Sequence, residues 1–321
     1  MIRIGILGAA KIAPRSIIDP VRDRKDATIV CVAARDPARA RRYANEHGVP
    51  EVAADYAALI ARDDIDLVYV ALPAAFHAEW AIKALEAGKA VLCEKPFAMN
   101  AAEARAMVAA AEKAGRPLIE ALHYRYHPVM TEALRLIREG AIGRLLDGDA
   151  DFNVAIPFQP LELRWLPHMG GGALMDLGCY PLHALRIAVG GEPEIAGASM
   201  TMSRGVDETT HARLVFPSGF TANLRCSMAP GDFSARLFIR GETGSVEVLN
   251  YVAPQIGCRL ILTQGDTVTE LPIPARTTFA WQFDHVMDVL ERGATPLTGG
   301  ADAIATMAAI DAIKAAATVP A

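Results

Sequence analysis

Along the first third of the chain, apolar residues come in short unbroken runs rather than in alternation. Residues 2–7, 28–34, 67–72 and 90–93 each read as a strand covered on both faces, and 117–121 closes the series. Between them the spacing turns helical, from about Ala10 and over 38–47, 78–87 and 101–114. Gly48, Gly88 and Gly115 stand where three of these helices must stop. Asn100, with Glu103 three residues on, has the form of a capping pair for the last. Strand and helix in alternation predict a doubly wound α/β domain on a parallel sheet over residues 1–122.

The pattern changes after residue 122. A helix is expected over 128–139 and a strand over 145–156, followed by half-buried stretches at 210–216, 220–228, 235–239, 245–249 and 259–262. Turn signals separate them: Pro217-Ser218-Gly219, Gly241-Glu242-Thr243-Gly244 and Gln264-Gly265-Asp266. Residues 123–321 therefore read as an α+β domain whose open sheet is an antiparallel meander, ending in helices over 281–292 and 301–317.

Composition narrows the function. The chain has 321 residues, enough for two domains, and a net charge of -5 with no run of basic residues, so a nucleic-acid partner is not expected. No apolar run approaches the length of a membrane span, and the N-terminus shows no secretory pattern, which together suggest a cytoplasmic protein. The five cysteines follow no ligand or disulfide spacing and read as reduced thiols; no metal site is expected.

Three turns of the first domain carry chemistry. After the first strand, Gly8-Ala9-Ala10-Lys11-Ile12-Ala13 places small residues at the three positions of the dinucleotide fingerprint. Gly8 makes the tight turn, Ala10 stands where backbone approaches a pyrophosphate, and Ala13 sits where helix meets strand. Ala10 replaces the usual middle glycine. At the end of the second strand, Ala33-Ala34-Arg35-Asp36 has alanine where an NAD enzyme carries the acid that binds the ribose 2′-hydroxyl. Arginine beside it offers a cationic fork to a 2′-phosphate, with Arg39 one turn further on. This favours NADP. The third such turn is Glu94-Lys95-Pro96, after the fourth strand, at the sheet edge where ligands of open α/β folds sit.

These motifs, together with Gly170-Gly171-Gly172-Ala173-Leu174-Met175-Asp176-Leu177-Gly178-Cys179-Tyr180, resemble the Gfo/Idh/MocA oxidoreductases over essentially the whole chain. The resemblance implies that Lys95 is the catalytic lysine and Asp176 the aspartate of the glycine-rich helix start. Where the inositol dehydrogenase branch has histidine, this chain has Tyr180. That is similar to the branch with glucose–fructose oxidoreductase, dimeric dihydrodiol dehydrogenase and NADP-linked xylose dehydrogenase, in which tyrosine acts as acid/base. The cofactor contacts implied are Gly8, Ala10, Lys11, Ile12, Ala34, Arg35, Arg39, Leu72, Pro73, His77, Glu94 and Lys95. The polar residue usual between Pro73 and His77 is alanine here.

Free tyrosine titrates near ~10, so a base at this position needs a cation beside it, which Lys95 or an oxidised nicotinamide supplies. Three side chains have double readings. Asp176 orients substrate or caps the helix that begins near it. Arg164 and Trp165 line a sugar pocket, or Trp165 belongs to the core. His183 reads as a packing histidine. The expected activity is NADP-dependent oxidation of an aldose, at the anomeric hydroxyl, to a lactone. The alternatives are a trans-dihydrodiol dehydrogenase, a sugar-ketone reductase, or a non-catalytic NADP-sensing regulator. The substrate expected is a small sugar or diol. A homodimer or dimer of dimers is expected, formed through an apolar open face of the second sheet.

Overall fold

In the computed structural model, residues 1–319 are described, and they form two compact units. The first comprises Met1–Leu122 and Phe279–Ile304; the second comprises His123–Thr278 and Ala305–Ala321. The division differs from the sequence expectation in one respect: a late segment returns to the first unit. No described helix is long and apolar enough to cross a membrane.

The first unit is built on six parallel strands: β1 (Ile2–Leu7), β2 (Ala27–Ala33), β3 (Glu51–Val52), β4 (Leu67–Val70), β5 (Ala90–Cys93) and β6 (Leu118–Glu120). Their order is β3-β2-β1-β4-β5-β6, so the winding reverses between β1 and β4. A ligand crevice opens at such a point, beyond the carboxyl ends of the strands. The helices are α1 (Asp19–Arg22), α2 (Pro37–His47), α3 (Tyr56–Ile60), α4 (His77–Glu86) and α5 (Ala101–Ala114). A wide turn at Pro14–Ile18 leads into α1. Local signals set the ends. Asp36 accepts from the Ala38 N–H to cap α2, and Asn100 accepts from the Glu103 N–H to cap α5. Gly48 and Gly115, at φ 69° and 61°, take the left-handed conformation that ends these two helices.

The returning segment has a clear reason to be there. Phe283, Val286, Met287 and Val289 join Ile4, Ile6, Leu67 and Leu92 in one buried apolar cluster. Thr298 Oγ1 donates to the Glu120 carbonyl at 2.6 Å, along β6. A periodicity reading sees the amphipathic helix but not the core it covers.

The second unit holds α6 (Pro128–Arg138), β7 (Leu145–Asn153), α7 (Cys179–Val189) and the strands β8 (Glu194–Ser203), β9 (Val206–Val215), β10 (Thr221–Ser227), β11 (Ser234–Gly241), β12 (Gly244–Leu249), β13 (Arg259–Gln264) and β14 (Thr267–Leu271). After α8 (Thr278–Arg292) and α9 (Gly300–Ala316), β15 (Ala317–Thr318) completes the sheet. Its order is β14-β13-β12-β11-β7-β10-β9-β8-β15. The sheet is therefore not a pure meander: β7 lies between β10 and β11, parallel to β10, and β15 runs parallel to β8.

Alternation along the strands gives the sheet one inner face. Ala150, Phe152, Ala222, Leu224, Cys226, Leu237 and Ile239 are buried, and α7 packs against β7, β10 and β11. The other face is not the apolar surface expected for a dimer. It carries Asp147, Asp149, Asp151, His211, Arg213, Asn223, Arg225, Arg236 and Arg240. Arg240 pairs with Asp147 and Arg236 with Glu247, and Asn223 donates to Asp149 at 2.9 Å. The residues that alternate with Ala150 and Leu224 along their strands are polar, and on β11 Phe238 lies between Arg236 and Arg240, with the Arg236 guanidinium over its ring.

Candidate active site

The first unit supplies the dinucleotide edge. Gly8 has φ 104°, and a Cβ there would lie 2.4 Å from the Ala71 carbonyl oxygen, so the turn after β1 admits only glycine. Ala10 is partly exposed, Lys11 is exposed and Ile12 is partly buried, while Ala13 is fully buried where the helical turn meets the sheet. The turn is braced from α2. Arg39 donates to the Ala9 carbonyl at 2.8 Å, and the Tyr43 hydroxyl to that of Ala10 at 3.2 Å.

Ala34 is buried, and Arg35 and Arg39 are exposed. Burial pushes the Tyr56 phenol up, and the charges of Arg35 and Arg39 both act to lower it. The neighbouring acid, Asp36, is occupied as the cap of α2. Among the described residues neither arginine pairs with a carboxylate, so the positive charge there is not neutralised by the unit's own acids.

The turns after β4 and β5 are tied to one another. His77 is buried, with Nε2 2.7 Å from the Leu72 carbonyl oxygen and Nδ1 3.0 Å from that of Pro96. Burial holds its imidazole below the ordinary histidine range, with the Lys95 charge acting in the same direction. His77 thus lies between Leu72-Pro73 and Lys95-Pro96, and as a neutral ring it donates to one of the two carbonyls. Glu94 turns inward. Its carboxylate accepts from the Tyr69 hydroxyl at 2.5 Å and from Ser16 at 3.3 Å, and its other oxygen accepts the Lys95 N–H at 3.3 Å. Burial pushes its pKa up. Lys95, partly buried, is held at its backbone by that carboxylate.

The second unit supplies the tyrosine. The glycine run that precedes it is dictated by close approach. A Cβ on Gly171 would lie 2.7 Å from the Arg164 carbonyl oxygen, and one on Gly172, at φ 114°, would meet Asp207 Oδ1 at 2.1 Å. Asp207, buried, accepts from the Leu174 N–H at 2.7 Å and from Thr210 at 2.6 Å, which starts the wide turn Leu174–Gly178 that enters α7. Asp176, on that turn, receives Arg164 Nε at 2.6 Å, and Arg164 also reaches Glu162 at 2.9 Å. Helix α7 has no side-chain cap, so the capping reading of Asp176 is not what its geometry shows. Trp165 is 4% exposed and donates its indole N–H to the Ile156 carbonyl at 3.2 Å, which makes it a packing residue rather than a sugar platform.

Tyr180 is 3% exposed, ringed by Phe152, Tyr124 and His123 at centroid distances of 5.3, 5.7 and 5.8 Å. Its hydroxyl lies 3.2 Å from His123 Nε2, and His123 Nδ1 lies 2.8 Å from Thr278 Oγ1. His183 packs as expected, 2.5 Å from the Tyr124 hydroxyl. His123 and Thr278, 155 positions apart, were not singled out by the sequence as site residues.

Residues 2–122 match the family model for the oxidoreductase family with an NAD-binding Rossmann fold, and residues 130–247 match the GFO/IDH/MocA C-terminal domain. The chain is 34% identical to a D-xylose 1-dehydrogenase (NADP(+)) of Haloferax volcanii, over 96% of this chain and 95% of that one. It is 31% identical to a trans-1,2-dihydrobenzene-1,2-diol dehydrogenase of Sus scrofa, over 84% of this chain and 82% of that one. A 3-ketoreductase from Actinomadura kijaniata, solved with NADP and TDP-benzene, superposes with a TM-score of 0.91 at 30% identity, over 99% of this chain and 98% of that one. With both domains matched and relatives aligned nearly end to end, the chain belongs to the Gfo/Idh/MocA family of oxidoreductases.

Proposed function

We propose that this chain is an NADP-dependent dehydrogenase that oxidises an aldose at its anomeric hydroxyl to the lactone. The observation that carries the cofactor choice is the pair Arg35 and Arg39 beyond β2, without a carboxylate partner among the described residues and beside an alanine instead of an acid. An NAD enzyme keeps an acid there for the ribose hydroxyl, whereas a 2′-phosphate is matched by a guanidinium fork. The Gly8 turn, closed to any Cβ, fits the approach of a pyrophosphate.

When bound, the oxidised nicotinamide accepts the hydride. The protein's part is proton transfer and positioning. Tyr180 takes the hydroxyl proton as the hydride leaves carbon, and Lys95 supplies the positive charge that favours phenolate. The pair Arg164–Asp176 is assigned to sugar hydroxyls, since the partly exposed Arg164 guanidinium donates to the Asp176 carboxylate and the pair offers both donors and acceptors. A second reading, reduction of a keto sugar, is favoured by the 3-ketoreductase fold match. It reverses the same steps, with Tyr180 donating.

Initial rates of nicotinamide reduction against a panel of aldoses and diols, with NADP and NAD side by side, test the proposal. Turnover of an aldose with NADP preferred is expected. Turnover only of keto sugars with NADPH moves the assignment to the second reading, and turnover only with NAD sinks the Arg35 argument.

A further inference from the structure

A buried phenol that accepts a proton in each turnover must also lose one. Tyr180 is nearly sealed by Phe152, Tyr124 and His123, and its hydroxyl contacts His123 Nε2 at 3.2 Å. The far nitrogen of that ring contacts Thr278 Oγ1 at 2.8 Å, and Thr278 is fully buried. A hydroxyl at that distance can accept the Nδ1 proton, and in that tautomer Nε2 is a lone pair aimed at the phenol. We propose that His123, oriented by Thr278, is the proton acceptor for Tyr180 and completes its acid/base cycle.

The inference rests on the acid/base reading of Tyr180. In the oxidative direction the substrate carbon gives a hydride to the nicotinamide, and the substrate hydroxyl gives its proton to the Tyr180 oxygen. The Tyr180 proton passes to His123 Nε2. The alcohol is oxidised by two electrons, the dinucleotide is reduced by two, and the one proton left over stands on the imidazole until water takes it. In reduction His123 returns the proton through Tyr180. His123 is a positioning and relay residue here, acting through the tyrosine.

Tyr124 packs on Tyr180 and meets His183, and Tyr251 interacts with Tyr180, Tyr124, Asp151 and Cys179. His183 is engaged with the Tyr124 hydroxyl, so the imidazole directed at Tyr180 is that of His123.

Two measurements test this on the whole chain. Long-range nitrogen–carbon NMR of the histidine rings, with His123 assigned through His123→Gln, reads the tautomer without turnover. An Nδ1-protonated ring that changes its titration in Tyr180→Phe is expected. An Nε2-protonated ring overturns the proposal, because it cannot take the phenolic proton. The pH dependence of kcat with the best aldose of the panel and NADP is the second. A rate that rises with pH through the imidazole range is expected, because a protonated His123 accepts nothing. In His123→Gln that limb vanishes and kcat falls tenfold or more, while the KM for NADP stays. Thr278→Val moves the limb without removing it.

A His123→Gln enzyme that keeps the wild-type limb and rate contradicts the relay. Folding of each variant is checked by its thermal midpoint. Should Tyr180→Phe itself retain full kcat, the tyrosine reading fails first. Should Tyr180→Phe be inactive while His123→Gln is normal, the relay alone fails.

Discussion

The two ends of the six-stranded sheet in the first unit are built from similar residues and treat charge in opposite ways. At the amino end, Arg3, Arg62 and Arg24 meet acids. Arg3 pairs with Asp66 at 2.9 Å, Arg62 with Asp64 and Glu51 at 2.6 Å, and Arg24 with Asp26 at 2.7 Å and Asp284 at 2.6 Å. Lys89 Nζ donates a hydrogen bond to the Arg62 carbonyl oxygen at 2.6 Å. At the carboxyl end, Arg35 and Arg39 have no carboxylate among the described residues, and the acids nearby are turned away. Asp36 caps α2, and Glu94 is sunk beneath Lys95. One end has settled its charges internally, and the other keeps positive charge for an anion that the chain does not contain. The difference marks the ligand edge more sharply than any one motif does.

Removing charge from each end should separate the two roles. The largest effect is expected at Lys95→Ala, with kcat lowered about 10²–10³-fold, the scale seen when a preorganised electrostatic partner is lost. Lys89→Ala, at the opposite end, should leave kcat as it was. Steady-state rates on both variants make the comparison. Next comes Arg35→Ala. Charge-assisted hydrogen bonds contribute about 1.5–3 kcal/mol, so the KM for NADP should rise roughly 10–100-fold while that for NAD hardly changes. Arg39→Ala should have a smaller effect of the same kind, and equal losses for both dinucleotides would remove the phosphate from the account.

The smallest effect lies at the amino end and concerns stability. The Arg3 guanidinium hydrogen-bonded to Asp66 holds that carboxyl below its ordinary value of 3.8. A depressed folded-state value means the stabilisation is present above the ordinary aspartate range and is lost as pH falls through the depressed value. Asp66→Asn should therefore lower the thermal midpoint modestly at pH 7, with the gap to wild type closing below about pH 4. Cofactor binding should not move.

Much of this contrast could be read from sequence because the first unit is written locally. Gly8, Gly48 and Gly115 sit at turns only they can make, and the runs at β1, β2, β4 and β5 need no partner to be recognised. What escaped was either short or long-range. Strand β3, Glu51–Val52, is too brief to show a period, and Tyr56–Ile60 is a single helical turn. The placement of β7 between β10 and β11 is a matter of pairing, which alternation does not encode.

The return of Phe283 and Val286 to the first core, and the contact of His123 with Thr278, join residues far apart in the chain. Trp165 shows the limit of residue type as a guide. An indole beside Arg164 suits a sugar, but here its N–H is engaged with Ile156. The expected apolar dimer face failed for a similar reason, since the residues between the buried ones on β7 are Asp147, Asp149 and Asp151.

The most direct test of the central claim is the affinity of the unmodified protein for NADPH and NADH, followed by nicotinamide fluorescence at low ionic strength and again in high salt. The account predicts tighter binding of NADPH, with the preference shrinking as salt screens the phosphate contact. Equal affinities, or a preference for NADH that salt does not alter, would contradict it.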